Sequence, residues 1–213
     1  RVDGAGRGVG PRVGVAGPRV DAPPLPIDAP PLQMITLAQG PTSITPANTV
    51  SCNAAGVTAE NSYYRAFRLA DHGVTTAFTA SRIDVGIETA TAGIGASQTI
   101  QVKLYTVAGT FPAGVMTQIA GQIATVTNTA TGTVLPVTLS PPGVAAAGST
   151  LVAEVFIPDG DAAGNSIFIG SNTAAETGPS YLRAPDCGST QPAALTSLGF
   201  PAVHVVLTVT GTY

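Results

Sequence analysis

Few residues in this chain can do acid–base or nucleophilic chemistry, and they lie far apart. Histidine occurs twice, at His72 and His204. Nucleophilic catalysis needs a nucleophile, a base and an orienting group held together. His72 sits in the turn-like ADHG and is expected at the surface. His204 sits inside the apolar run FPAVHVVLTV, where the expected role is an imidazole satisfied within a sheet. No GxSxG elbow, HExxH pair or phosphate-binding loop occurs. Asp84 and Glu88 fall two pleats apart on one predicted strand and so share a face. A glycosidase needs such a carboxylate pair, but solvated carboxylates share faces too. A hydrolase using Asp84, Glu88 or His204 is therefore the least favoured reading. The expectation is a protein that is not an enzyme and has no catalytic residues.

Two weaker signals concern ligands. The segment 158–165 (PDGDAAGN) offers Asp159, Asp161 and Asn165 as oxygen ligands for calcium on a turning backbone. The terminal glutamate of an EF-hand is missing, and a polar Asx-type turn between two strands explains the same residues. The turn is the favoured reading, with calcium as the alternative and no other cofactor expected. Tyr63, Tyr64 and Tyr181 are candidates for stacking on a glycan. Tyr63 and Tyr64 are adjacent, so a strand turns one inward and one outward. The chain has no tryptophan, the usual sugar platform.

Composition sets the frame for these residues. Hydrophobic residues make up 44% of the 213, enough for a core. Charged residues make up 10%, against about 25% in ordinary soluble chains. Thr and Val, stiff at χ1 and suited to a pleated surface, are abundant. This profile suits an exported β-protein, secreted or at a cell surface. In that setting the only two cysteines, Cys52 and Cys187, are expected to pair. Of nine basic and twelve acidic residues, four and three fall in residues 1–33. No basic stripe with interleaved aromatics appears, which argues against nucleic acid. No apolar run reaches the 18 residues of a membrane span. A first residue of Arg1 suits a processed product or a fragment.

Residues 1–33 differ from the rest. They are rich in Gly, Pro, Arg and Val and contain DAPPL twice. Such a segment favours polyproline II and has few means to build a core. It reads as an extended tail or linker. It becomes ordered only where its own domain or a neighbouring copy holds it. Arg12, Val13, Arg19, Val20, Pro23, Pro24, Pro30 and Pro31 are the positions expected to make such an assembly contact.

Residues 34–213 read as a succession of short strands. Residues 82–89 (RIDVGIET) and 99–107 (TIQVKLYTV) alternate with period two. Further strands are expected at 62–69, 119–126, 133–139, 149–157, 166–170, 180–183 and 204–210, with a Pro142-Gly143 turn before 149–157. Gly, Pro and Asn mark nearly every gap. No long amphipathic helix appears. The predicted fold is an antiparallel β-sandwich or jelly roll of about nine or ten strands. Its core is expected from Ile83, Val85, Ile87, Val102, Leu104, Leu151, Val155, Ile167, Ile169, Val203, Val205 and Leu207. The last strand, apolar on both faces, is placed centrally.

Several segments carry a resemblance: NSYYRAFRL, QTIQVKLYTVAGTFP, AGSTLVAEVFIPDG, GNSIFIGSN and TGPSYLRAPDCG with LGFPAVHVVLTVTG. Together they resemble a β-sandwich accessory module of large secreted or surface bacterial proteins. The resemblance covers residues 42–213 and is most specific in GPSYLRAPDCG and the later GFP-x-x-H. It implies export and a modular, non-enzymatic role; it does not imply a ligand. Two functions follow. The favoured one is a structural or adhesive protein that assembles with itself into a filament or surface layer, its tail contacting a neighbour. The alternative is a carbohydrate-binding accessory module, with the tail as an interdomain linker.

Overall fold

A computed structural model describes residues 31–213, so Arg12, Val13, Arg19, Val20, Pro23, Pro24 and Pro30 lie outside the described residues. Pro31 is exposed. The strands are β1 (Met34–Leu37), β2 (Asn53–Ala54), β3 (Val57–Thr58), β4 (Asn61–Arg68), β5 (Phe78–Thr91), β6 (Ser97–Ala108), β7 (Val115–Thr127), β8 (Thr133–Ala145), β9 (Thr150–Ile157), β10 (Ser166–Ile169), β11 (Ser171–Asn172), β12 (Ser180–Ala184), β13 (Ser189–Ala194), β14 (His204–Val205) and β15 (Leu207–Thr212). Helical structure among the described residues is limited to three short 3₁₀ turns.

The strands form an antiparallel β-sandwich, as the alternating pattern predicts. One sheet has six strands in the order β13-β12-β4-β9-β6-β7. The other is built around β5. Its one edge pairs with β8, and its other edge is shared end to end by β15 and β10. β1 pairs with the far side of β15. Alternate residues of both sheets point into one core. Ile83, Val85 and Ile87 of β5 meet Ile100, Val102 and Leu104 of β6 and Leu151, Ala153 and Val155 of β9 there. Every residue of the expected core is buried except Val203, which is partly buried.

Gly86 marks the point where β5 changes partner. Its N–H donates to the Val206 carbonyl and its carbonyl accepts from the Gly170 N–H, both at 2.8 Å. A Cβ there would stand 2.7 Å from the Val206 Cβ, so a side chain would push the two strand ends apart. The same junction explains why the run 204–210 is not one strand. His204 and Val205 pair with β11, Val206 bridges, and β15 then joins β5. β15 is paired on both sides, as its apolar character predicts.

Two expectations need correction. Pro142 and Gly143 do not form the turn before β9. They lie within β8, where Gly143 pairs with Ala80 across a register shift. The turn falls at residues 147–148. Among the described residues β8 is an edge strand with one partner, which accommodates Pro136, Pro141 and Pro142, and Pro192 sits likewise in edge strand β13. The segments number fifteen among the described residues rather than nine or ten. The additions are four two-residue strands, which form two pairings, the four-residue β1, and β13, whose sequence STQPAA does not alternate.

Candidate functional site

The outer side of the six-stranded sheet carries a row of polar and aromatic side chains. Alternation along β4 sends Tyr63, Arg65 and Phe67 inward and Tyr64, Ala66 and Arg68 outward. The strand register then sets Tyr181, Tyr64, Glu154 and Lys103 side by side across β12, β4, β9 and β6. Glu154 is only 4% exposed. Its carboxylate accepts from the Tyr105 hydroxyl at 2.6 Å and the Tyr64 hydroxyl at 3.3 Å, with the Lys103 ammonium at 3.6 Å. Lys103 also lies 4.5 Å over the Phe156 ring. Burial first, and the Glu154 charge and hydrogen bonds second, hold the Tyr64 and Tyr105 phenols well above the ordinary value of 10.0.

An outward face is normally wet. Here it is partly covered by the β6–β7 connection, residues 109–114, which folds back over the sheet. Phe111 is 5% exposed. Its ring meets Tyr181 edge-on at 4.7 Å and Tyr64 at 5.6 Å. With Val152 these rings form a second apolar cluster, separate from the sandwich core. Beside the loop opens a groove of about 710 Å³, within the size range of small-ligand sites. Thr110 and Phe111 form one side, Thr177 and Tyr181 another, and Arg68 and Asp71 a third. Arg68 and Asp71 are exposed and 3.6 Å apart. His72 also lines the groove and stacks at a tilt on Phe67, 6.0 Å between centroids. It is half-buried rather than exposed as expected. Burial lowers its pKa from 6.5 against the opposing pull of Asp71.

The wall at residues 177–179 is anchored from inside the sandwich. Arg65 is 3% exposed and points toward the core end of the sheet. Its guanidinium donates to Glu176 at 2.6 Å, to the Gly178 carbonyl at 2.8 Å, to Gln39 at 3.1 Å and twice to the Val205 carbonyl. Glu176 also accepts from the Ser180 hydroxyl at 3.1 Å and lies 3.8 Å from the His204 imidazole. Desolvation lowers the Arg65 pKa, and Glu176 opposes the shift. The loop backbone is further tied by the Thr177 N–H to the Gln39 carbonyl, 2.8 Å, and by His204 Nδ1 to the Ala174 carbonyl. His204 is thus satisfied within the structure, as expected. Arg65 and Glu176 escaped sequence reasoning. A lone arginine on the inward side of an otherwise apolar alternation was the available signal.

The other predicted residues fall as follows. Cys52 and Cys187 are bonded, with Cα atoms 5.7 Å apart. Tyr63 is a correction: it is 1% exposed, its hydroxyl donates to the Val50 carbonyl at 2.7 Å, and it has no face to offer a ligand. Tyr64 and Tyr181 belong to the outer cluster, and Tyr181 reaches the groove. Asp159 and Asp161 line a recess of about 270 Å³ beside the disulfide, together with Asp186. Asp159 accepts from the Asp161 N–H at 3.0 Å, the Asx turn of the favoured reading. Asn165 does not join them, because its side-chain oxygen accepts from the Gly93 N–H at 3.1 Å. Among the described residues no three His, Cys, Asp or Glu side chains are grouped to hold a metal. Asp84 is buried against Arg82, at 2.9 Å, and Glu88 accepts from the Ala47 N–H at 2.7 Å. Each carboxylate has its own structural partner.

No protein-family model matches this chain, and a search of curated proteins finds no relative.

Proposed function

We propose that residues 34–213 are a non-catalytic recognition domain of an exported protein, an accessory module that takes a glycan in the groove beside Phe111. The observation that carries the reading is the lining of that groove. Arg68 and Asp71 bring both charge signs, and Thr110, Thr177 and Tyr181 bring hydroxyls. Paired opposite charges and hydroxyls suit neutral polyhydroxylated ligands, whose hydroxyls both donate and accept, better than polyanions. The disulfide fits an oxidising, extracellular setting. No helix among the described residues is long and apolar enough to cross a membrane. Calorimetric titration with neutral hexasaccharides tests the reading. Binding by the full chain that falls at least tenfold in Arg68→Ala supports it. Binding unaffected by Arg68→Ala removes the groove from the function.

Self-assembly through the tail is the second reading. The observation in its favour is edge strand β1, unpaired on one side among the described residues, where Leu32 and Met34 are exposed. Filaments formed by the full chain and lost without residues 1–33 would establish it. Equal assembly by both chains would dismiss it.

A further inference from the structure

The loop over the outer face is held in an unusual way. Residues 109–114 join the paired ends Ala108 and Val115. Among the described residues, the loop backbone makes one hydrogen bond outside the strand pairing, Gly114 N–H to the Thr110 carbonyl at 2.8 Å, and that bond is internal. No side-chain hydrogen bond or ion pair ties residues 109–114 to β4, β9 or β12 among the described residues. Its attachment to the sheet is the Phe111 ring. Gly109 takes φ +93°, a conformation that side-chain-bearing residues rarely adopt.

Beneath that ring lies an apolar surface flanked by two aromatic rings. Val152 forms the floor, Tyr64 and Tyr181 flank it, and Met116 closes one side. Next to it stands Glu154, an acceptor already organised by two phenols and Lys103. An aromatic surface with a carboxylate beside it is the chemistry that recognises a pyranose: apolar C–H face on the rings, hydroxyls to the acceptor. Phe111 and Tyr181 also line the open groove, so the two spaces share a wall.

We propose that this cup is a sugar-ring subsite, filled by Phe111 in the free domain and continuous with the groove once residues 109–114 lift. The inference rests on the glycan reading of the groove and adds to it. It also explains why Tyr64 and Tyr181 are covered on a face that a sandwich leaves to solvent. Binding then selects the lifted state, and the apparent affinity is reduced by the fraction of molecules in that state.

The absence of tryptophan makes the test direct, because Phe111→Trp creates the chain's single indole. Acrylamide quenching of Phe111→Trp is followed during titration with neutral hexasaccharides (β-1,4-glucan, β-1,3-glucan, xylan and chitin fragments), beside calorimetry of Phe111→Ala. The subsite predicts low quenching without sugar and a rise on saturation, as the ring leaves the cup. It also predicts that Phe111→Ala binds about tenfold tighter or more, the gain expected when a state populated about one part in ten becomes the only one. Unchanged quenching on saturation, with Phe111→Ala binding no tighter than the parent, overturns the subsite and leaves the groove reading standing. A panel in which neither the parent nor Phe111→Ala binds any sugar removes the groove reading, and the subsite with it.

Discussion

Replacing Glu176 with alanine tests the internal anchor of the groove. The pair it forms with Arg65 is 2.6 Å long, with side chains 3% and 13% exposed. Removing one partner of a buried pair costs about 3–5 kcal/mol, because the other charge stays behind. Arg65 keeps three acceptors after the change, the Val205 and Gly178 carbonyls and Gln39. The loss therefore belongs at the low end, about 3 kcal/mol. For a domain of this size that lowers Tm by roughly 6–12 °C. The control is Glu60→Ala, which removes the 2.5 Å contact with Arg183, a pair about one-third exposed. A pair so placed is worth about 0–1 kcal/mol. Urea unfolding of both variants supplies the comparison. Equal destabilisation, or a loss under about 1 kcal/mol in Glu176→Ala, would refute the argument from burial.

Three further outcomes follow. Reduction of Cys52–Cys187 opens a loop of 135 residues and should cost about 5 kcal/mol by chain entropy, read as a lower urea midpoint with reductant; an unchanged midpoint would show that the bond adds nothing. Gly86→Ala should destabilise by about 1–3 kcal/mol through the clash with Val206, and a neutral result would mean the strand junction yields freely. His72 has a folded pKa below 6.5, so the unfolded chain binds its proton first as pH falls. Its contribution is complete above 6.5 and is lost as pH drops below that value. Thermal melts between pH 8 and 5 should therefore show a weaker acid dependence in His72→Gln, and identical slopes would contradict the assignment.

How legible this structure was depends on the length of each pattern. β5 and β6 showed several turns of period-two alternation, and their buried faces were read correctly residue by residue. β1, β13 and the two-residue strands have no period to show; β1 is placed by β15, more than 170 positions away, and β13 by the turn that folds it back on β12. The Pro142-Gly143 error arose because turn chemistry and edge-strand chemistry use the same residues, and only the sheet order separates them. Sequence alone placed Tyr64 and Tyr181 among the binding candidates. It could not show that Phe111, 47 positions from Tyr64 and 70 from Tyr181, would fold onto them. Arg65 and Glu176 are separated by 111 positions, so their pairing is visible only after β4 and β12 are side by side.

The central claim, a glycan groove on the outer face of the six-stranded sheet, is tested most directly by amide chemical-shift mapping of the isotope-labelled full chain with saturating neutral hexasaccharide. Shifts centred on Arg68, Asp71, residues 109–114 and residues 177–181, reaching Tyr64, Val152 and Glu154 where the loop lifts, are the predicted result. Shifts centred on β1, on the recess beside Cys187, or on no part of this face would contradict it.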